Sequence, residues 1–204
     1  SPDVSGPLEG NIREFIFRTL FTSSSTDFTH KLDEVLRLTG HFFQLHHAVI
    51  LSYDNQMEEI SVLNEWKDSS MGHEKMKYHV SLMKECLSTY PDISEHAVFI
   101  YENKNNTPFE KAILASVHAK AITAMSMALD EVNSVMVIFC DNLRARSFTR
   151  QQRNDLQTIM EIIEIFLQNQ AQKTRQNEQL NMMMYLLNHI GSAIYIIDPA
   201  TYHL

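Results

Sequence analysis

The chain has 204 residues, 44% of them hydrophobic and 21% charged, with a formal net charge of −8. That mix suits one compact globular domain with additional helix. The acidic balance excludes a nucleic-acid surface, which needs a basic stripe to displace counterions, and a surface for anionic membranes. No apolar run reaches the ~18 residues of a membrane span, and Cys86 and Cys140, far apart and without a CxxC partner, read as reduced thiols in a cytoplasmic setting.

Residues 1–10 are polar, carry Pro2, Gly6 and Pro7, and read as a leader without signal-peptide character. Ile12, Phe15, Ile16 and Leu20 share one face of a first helix, which the run from Thr22 to Thr26 interrupts. Asp27 then caps a second helix with an apolar face of Leu32, Val35, Leu36 and Leu38, followed by Phe42 and Phe43; Gly40 weakens this helix without ending it.

From His46 to Tyr53 the chain is short-range apolar and β-branched, Asp54-Asn55 makes a turn, and Glu59 to Trp66 alternates with Ile60, Val62 and Asn64 on one side, so the pair reads as a β-hairpin. A loop from Asp68 to Gly72 leads to a helix expected over Glu74 to Leu87. Pro91-Asp92 closes it, and Ala97 to Tyr101 forms a third strand. Pro108 opens another helix through Phe109, Ile113, Leu114 and Val117. Ala121 to Leu129 and Ser134 to Cys140 make a second hairpin, and from Thr149, an N-cap, the chain reads as helix for a long stretch. The sum is an α+β architecture, a central antiparallel sheet with helices from both ends of the chain on one face and a helix and loop layer over the other.

The second hairpin with Arg146-Ser147-Phe148-Thr149 after it resembles a GAF domain. The Phe-Thr pair followed by Gln151, Asp155 and Leu156 is the most telling part, and the resemblance covers about residues 10–170. It departs from the family in two places, where Ala128 and Ser134 stand for a frequent proline and glycine. The Asn-Lys…Phe-Asp-Glu set of cyclic-nucleotide-binding members is absent. A second resemblance lies in Leu186 to Pro199, which looks like the entry to a PAS domain: helix, small-residue turn at Gly191-Ser192, a first strand, and Asp198 at its end. The domain division this implies is 11–168 for the GAF-like unit, 169–190 for a connecting helix and 191–204 for the first strand of a PAS-like module. GAF followed by PAS implies a bacterial signalling protein with a diguanylate cyclase or histidine kinase output. None of the motifs of those outputs is present.

The resemblance implies a ligand pocket on one sheet face, for which Tyr53, Trp66, Tyr78, Leu82, Phe99, Val117, Met125, Met127 and Met136 are the candidate lining residues. Trp66 and Tyr78 each offer a ring and a hydrogen-bonding group, and methionines, eleven in the chain, fit irregular ligands and irregular cores equally well. The same residues are open to the plainer reading of a filled core. Ten histidines form no metal set: His46 and His47 point to opposite faces of a strand, His73 and His79 lack helical spacing, and there is no HExxH. A haem-binding relative would use one axial histidine, here His79 or His118, and a bilin-binding one a cysteine, here Cys86, whose surroundings do not match. No cofactor is assigned. The chain lacks GxSxG, P-loop and GxGxxG patterns, so no catalysis is expected.

In the long helix, Leu156, Ile159, Ile163 and Phe166, then polar Gln170, Lys173 and Asn177, then Leu180, Met184 and Leu187 keep a heptad register. Its apolar positions suit either packing on the chain's own first helix or a parallel homodimer. The expected function is a non-catalytic sensory domain that binds a small molecule and relays a conformational signal along this helix. The alternative is a dimerisation and spacer module with a closed core.

Overall fold

The computed structural model describes residues 11–22, 27–72 and 76–197, with side chains as far as 186. Five strands form one sheet in the order β2-β1-β5-β4-β3, every neighbouring pair antiparallel: β1 His47–Asp54, β2 Glu59–Lys67, β3 Val98–Tyr101, β4 Ala121–Ala128 and β5 Asn133–Asp141. The helices are α1 Ile12–Phe21, α2 Phe28–Phe42, α3 Val80–Thr89, α4 Pro108–Ser116 and α5 Arg150–Ile197. The chain divides into two units, Ser1–Phe166 and Leu167–Leu204, and the sheet with α1 to α4 and the start of α5 belongs to the first.

Local chemistry explains the element ends. Asp27 accepts from the backbone N–H groups of Thr29 and His30 at the start of α2, and Thr107 with Glu110 closes a reciprocal capping box on α4. Thr149 and Gln152 exchange a similar pair of bonds at the entry to α5. α3 begins at Val80: Glu74, its expected start, lies outside the described residues, and 76–79 are not helical. Residue 79 is still extended, with φ −110° and ψ 130°, because Tyr78 is tied by its hydroxyl to the sheet.

The sheet buries both faces, so its central strands β1, β4 and β5 are apolar almost throughout rather than alternating. One face carries Ala48, Ile50, Thr123, Met125, Val137 and Phe139. The registers Ile50↔Val137 and Met125↔Val137 place them together, and α2 and the first turns of α5 cover them. Leu156, Ile159, Ile163 and Phe166 are all buried here within the chain's own fold. Phe166 stacks on Phe28 and meets Phe21 edge-on, so α1, α2 and α5 share one aromatic corner. The first four seam positions of the heptad are thus occupied by the domain core, not by a second copy. The other face, with Val49, Leu51, Met136, Ile138, Ile122 and Ala124, packs with α3 and α4 in a second core.

In the second unit α5 is helical through Ile197, where the sequence suggests a turn at Gly191-Ser192 and a strand. A helix satisfies its own backbone groups, whereas a lone strand needs a pairing partner. The expected strand end at Asp198-Pro199 and the leader 1–10 lie outside the described residues.

Candidate functional site

The face roofed by α3 and α4 holds a cavity of about 30 Å³, lined by residues of β1, β2, β5, α3 and α4. Four of the expected pocket residues meet there: Tyr78, Leu82, Val117 and Met136, joined by Met83, Cys86, Ile113 and Ser116. Tyr53 lies on the same face, buried in the same core. The volume is that of about one water molecule, and small-ligand sites run to roughly 300–1,000 Å³. In this conformation side chains fill the site.

Trp66, Phe99, Met125 and Met127 stand on the opposite face, and each has a physical reason. Met125 and Met127 alternate with Ala124 and Ser126, and the strand period of two sends them toward the helical layer. Phe99 pairs opposite Thr123, meets Phe148 edge-on and carries the Arg153 guanidinium over its ring. Trp66 is displaced by a β-bulge. Ile50 faces Asn64 but Leu51 faces Val62, so Leu63 is extra and the alternation of β2 inverts after it. Ile60 therefore packs toward the roof, while Asn64 and Trp66 turn to α2, where Asn64 donates to the Thr29 carbonyl and to Asp33.

The bulge also brings Glu65 to the roofed face, and with it a polar cluster that periodicity does not single out. His47 Nε2 lies 2.9 Å from Glu65 Oε1. The Tyr78 hydroxyl donates to the same oxygen at 3.1 Å and lies 3.3 Å from His47 Nε2, with Lys67 Nζ 3.4 Å from Glu65 Oε1. His47 is 0% exposed, and burial holds its pKa below the ordinary value against the pull of Glu65, so the ring is neutral and Nε2–H is the donor. Its Nδ1 has no hydrogen-bond partner. Burial raises the Glu65 carboxyl, but the bond from His47 with the charge of Lys67 outweighs it, and Glu65 stays ionised. Burial, then Glu65, pushes the Tyr78 phenol far up, keeping it a donor. The signal for this cluster is the diagonal placement of His47 and Glu65 across a hairpin, legible only once the bulge is known.

Cys86 lines the cavity almost fully buried, and burial pushes its thiol up to about 11, so at neutral pH it is a protonated, weakly reactive group. His79 lines the same cavity from an exposed position. His118 instead borders a separate surface groove of about 460 Å³ with Glu102, Asn106 and Lys111. His46 reaches Asp141, at 3.1 Å, and not the roofed cluster. Among the described residues no three histidine, cysteine or acidic side chains come together as a metal set.

The sequence matches no family model and no curated protein. Solved structures do match. The phycoerythrobilin-bound GAF domain of a cyanobacterial phytochrome superposes with a TM-score of 0.63 at 8% identity, over 80% of this chain and 97% of that one. The chromophore-binding domain of the bacteriophytochrome RpBphP3 from R. palustris gives 0.61 at 12% identity, covering 82% of this chain and 61% of that one. The GAF domain of a putative sensor histidine kinase from Pseudomonas syringae pv. tomato gives 0.50 at 8% identity, covering 84% and 90%. The chain has the fold of a GAF domain.

Proposed function

We propose that this chain is a non-catalytic sensory or regulatory module of a signalling protein, whose roofed sheet face receives a small molecule and whose change of state passes along α5 to an output domain of the diguanylate cyclase or histidine kinase kind. The observation that carries this is the inequality of the two sheet faces. One is sealed by α2 and by the start of α5, the helix that continues beyond the domain. The other is closed by α3, whose N-cap residue His79 makes no side-chain capping bond, over a small cavity. A site that closes loosely on one side of a sheet and a continuing helix on the other are the parts a relay needs. The bilins held by the phytochrome neighbours do not carry over. The cavity has no room for a tetrapyrrole in this conformation, and Cys86 is a buried neutral thiol.

Residues 169–190 serve in this reading as the connecting helix. The second-unit seam positions Leu180 and Met184 are 56% and 55% exposed, and Met184 stands in a run of exposed apolar residues from Met182 to Leu186. A parallel homodimer through them would cover that surface. Leu187 keeps the same register in the sequence, and its side chain lies outside the described residues. The closed-core spacer is the second reading, favoured by the small cavity volume. A panel of metabolites scored by thermal stabilisation, with mass spectrometry of whatever co-purifies, separates the two: a stabilising or co-purifying compound supports sensing, and a silent panel supports the spacer. Cysteines placed at Leu180 or Met184 test the dimer, and failure of both to cross-link between subunits overturns it.

A further inference from the structure

We propose that the roofed face is a closed binding site for a small, neutral, largely apolar molecule, and that the Tyr78–Glu65–His47 cluster is the latch that keeps it shut. This rests on the reading that the roofed face is the ligand site, and it names the ligand's chemical class and the part that moves.

The class follows from the lining. Among the described residues around the cavity, none is Asp, Glu, Lys or Arg. The polar atoms present are the Tyr78 hydroxyl, the Ser116 hydroxyl, which already donates to the Ile113 carbonyl, the Cys86 thiol and the imidazole of exposed His79. A carboxylate or phosphate taken into this site would lose its hydration, and no described Lys or Arg lines the site to meet the charge. An uncharged aromatic or aliphatic molecule would exchange water for Leu51, Leu82, Ile113 and Ile138, with Met83 and Met136 free to change rotamer around it.

The moving part follows from the unequal anchoring of the roof. α4 carries a full capping box with Pro108 in its first turn. α3 has ten residues, no side-chain cap and two buried side chains, Met83 and Cys86, with Val80, Leu82 and Leu87 only partly buried against the core. A helix that short is marginal without tertiary support. Its entry is held by the Tyr78 hydroxyl, which reaches across to Glu65 on β2 beside His47 on β1. Releasing that bond frees the N-terminal end of α3 and enlarges the cavity. The latch thus stabilises the closed state and lowers the apparent affinity for any ligand that needs the open one.

Titration of the whole chain with indole, followed by amide NMR, tests this. Indole is expected to give a saturable response at about 1 mM or below, with shifts centred on Met83, Cys86, Val117 and Met136. Its anionic analogue indole-3-acetate is expected to bind at least ~10-fold more weakly. Tyr78→Phe keeps the ring but removes the latch bond, so it is expected to tighten indole binding several-fold. Ser116→Leu and Cys86→Leu, which fill the cavity, are expected to abolish it, each judged only if its thermal transition shows it folded. No saturable response in the wild type or in Tyr78→Phe overturns the site. Weaker binding in Tyr78→Phe overturns the latch, and equal binding of indole-3-acetate overturns the charge argument. A charged metabolite that stabilises the chain while indole does nothing would sink this inference and leave the sensory reading standing. Silence from both would sink the two together.

Discussion

The ring of Trp66 occupies the space where a side chain on Gly40 would stand: a Cβ built there would lie 2.1 Å from Cζ3 and 2.5 Å from Cη2. The helix-weakening glycine in the last turn of α2 is therefore the seat of the β2 tryptophan, which also meets His41 edge-on. Gly40→Ala would gain about 1 kcal/mol of helix propensity. It would also push a rigid bicyclic ring out of a packed seat, a change that costs about 1–3 kcal/mol. Net destabilisation of about 1 kcal/mol is expected in urea unfolding. Trp66 is the single tryptophan, so its emission should shift in the native state of the variant. A more stable variant with unchanged emission would show that the seat is loose.

Asp141 should be the most sensitive polar position in the chain. Its carboxylate is fully buried at the end of β5 and accepts from the backbone N–H groups of Leu143 and Arg144 and from Arg144 Nε. Arg146 Nε stands 2.9 Å away. The two arginines in turn donate to the carbonyls of Gln44 and Phe43, tying the loop before α5 to the turn after α2. Asp141→Asn leaves that cluster without its anion. Breaking one side of a buried ion pair costs about 3 kcal/mol, a Tm drop of roughly 10 °C for a chain of this size. Calorimetry showing a drop below about 2 °C would mean the arginines are held by the carbonyls alone.

The order of helices and hairpins was legible from local signals: a 3.6 period in α1 and α2, alternation in β2, short β-branched apolar runs for the other strands, and Asp27, Thr149 and first-turn Pro108 at helix starts. Which sheet face a residue takes was only half legible. For Met125 and Met127, alternation separates the two faces of β4 but does not say which faces the roof, since both are apolar and buried. For Trp66 the count itself fails, because one extra residue at Leu63 inverts everything after it, and nothing in Glu59 to Trp66 marks a bulge. The start of α3 was hidden for a related reason. The Tyr78 bond to Glu65 is a tertiary contact, and it outweighs the helical pattern of the preceding residues. Asp141 reads as the first residue of a loop because its burial, and the carbonyls of Phe43 and Gln44 that hold its arginine partners, come from the distant turn after α2.

The His47 pair should make the domain acid-sensitive above the range where carboxylates titrate. Burial lowers the His47 pKa in the folded chain below 6.5. Below pH 6.5 the unfolded chain binds a proton that the folded chain does not, so stability conferred by the neutral ring is fully present above 6.5 and falls as pH falls toward the lowered value. His47→Gln retains a donor for Glu65 and cannot titrate. It is expected to be less stable than the wild type at pH 8, with the gap narrowing between pH 7 and 5.5. Parallel stability curves for the two proteins over that window would show that His47 does not titrate on unfolding.

Glu164 should give a dependence of the opposite sign. It is half-buried on α5, and burial, with Glu161 one turn away adding repulsion, raises its carboxyl to about 7. Below the unfolded value of 4.5 the group is protonated in both states and costs nothing. Between 4.5 and about 7 the folded chain holds a proton that the unfolded chain has released, so stability falls as pH rises through this window, and the loss is complete above about 7. A tenfold change in proton affinity corresponds to about 1.4 kcal/mol before screening, and for a carboxylate this close to water a net effect of about 1 kcal/mol is the reasonable scale. Glu164→Gln removes the charge at every pH. It is therefore expected to match the wild type near pH 4.5 and to melt about 2–4 °C higher at pH 8. Equal melting temperatures at pH 8 would show the carboxylate to be hydrated in the folded chain, and a lower one would show that its charge is used.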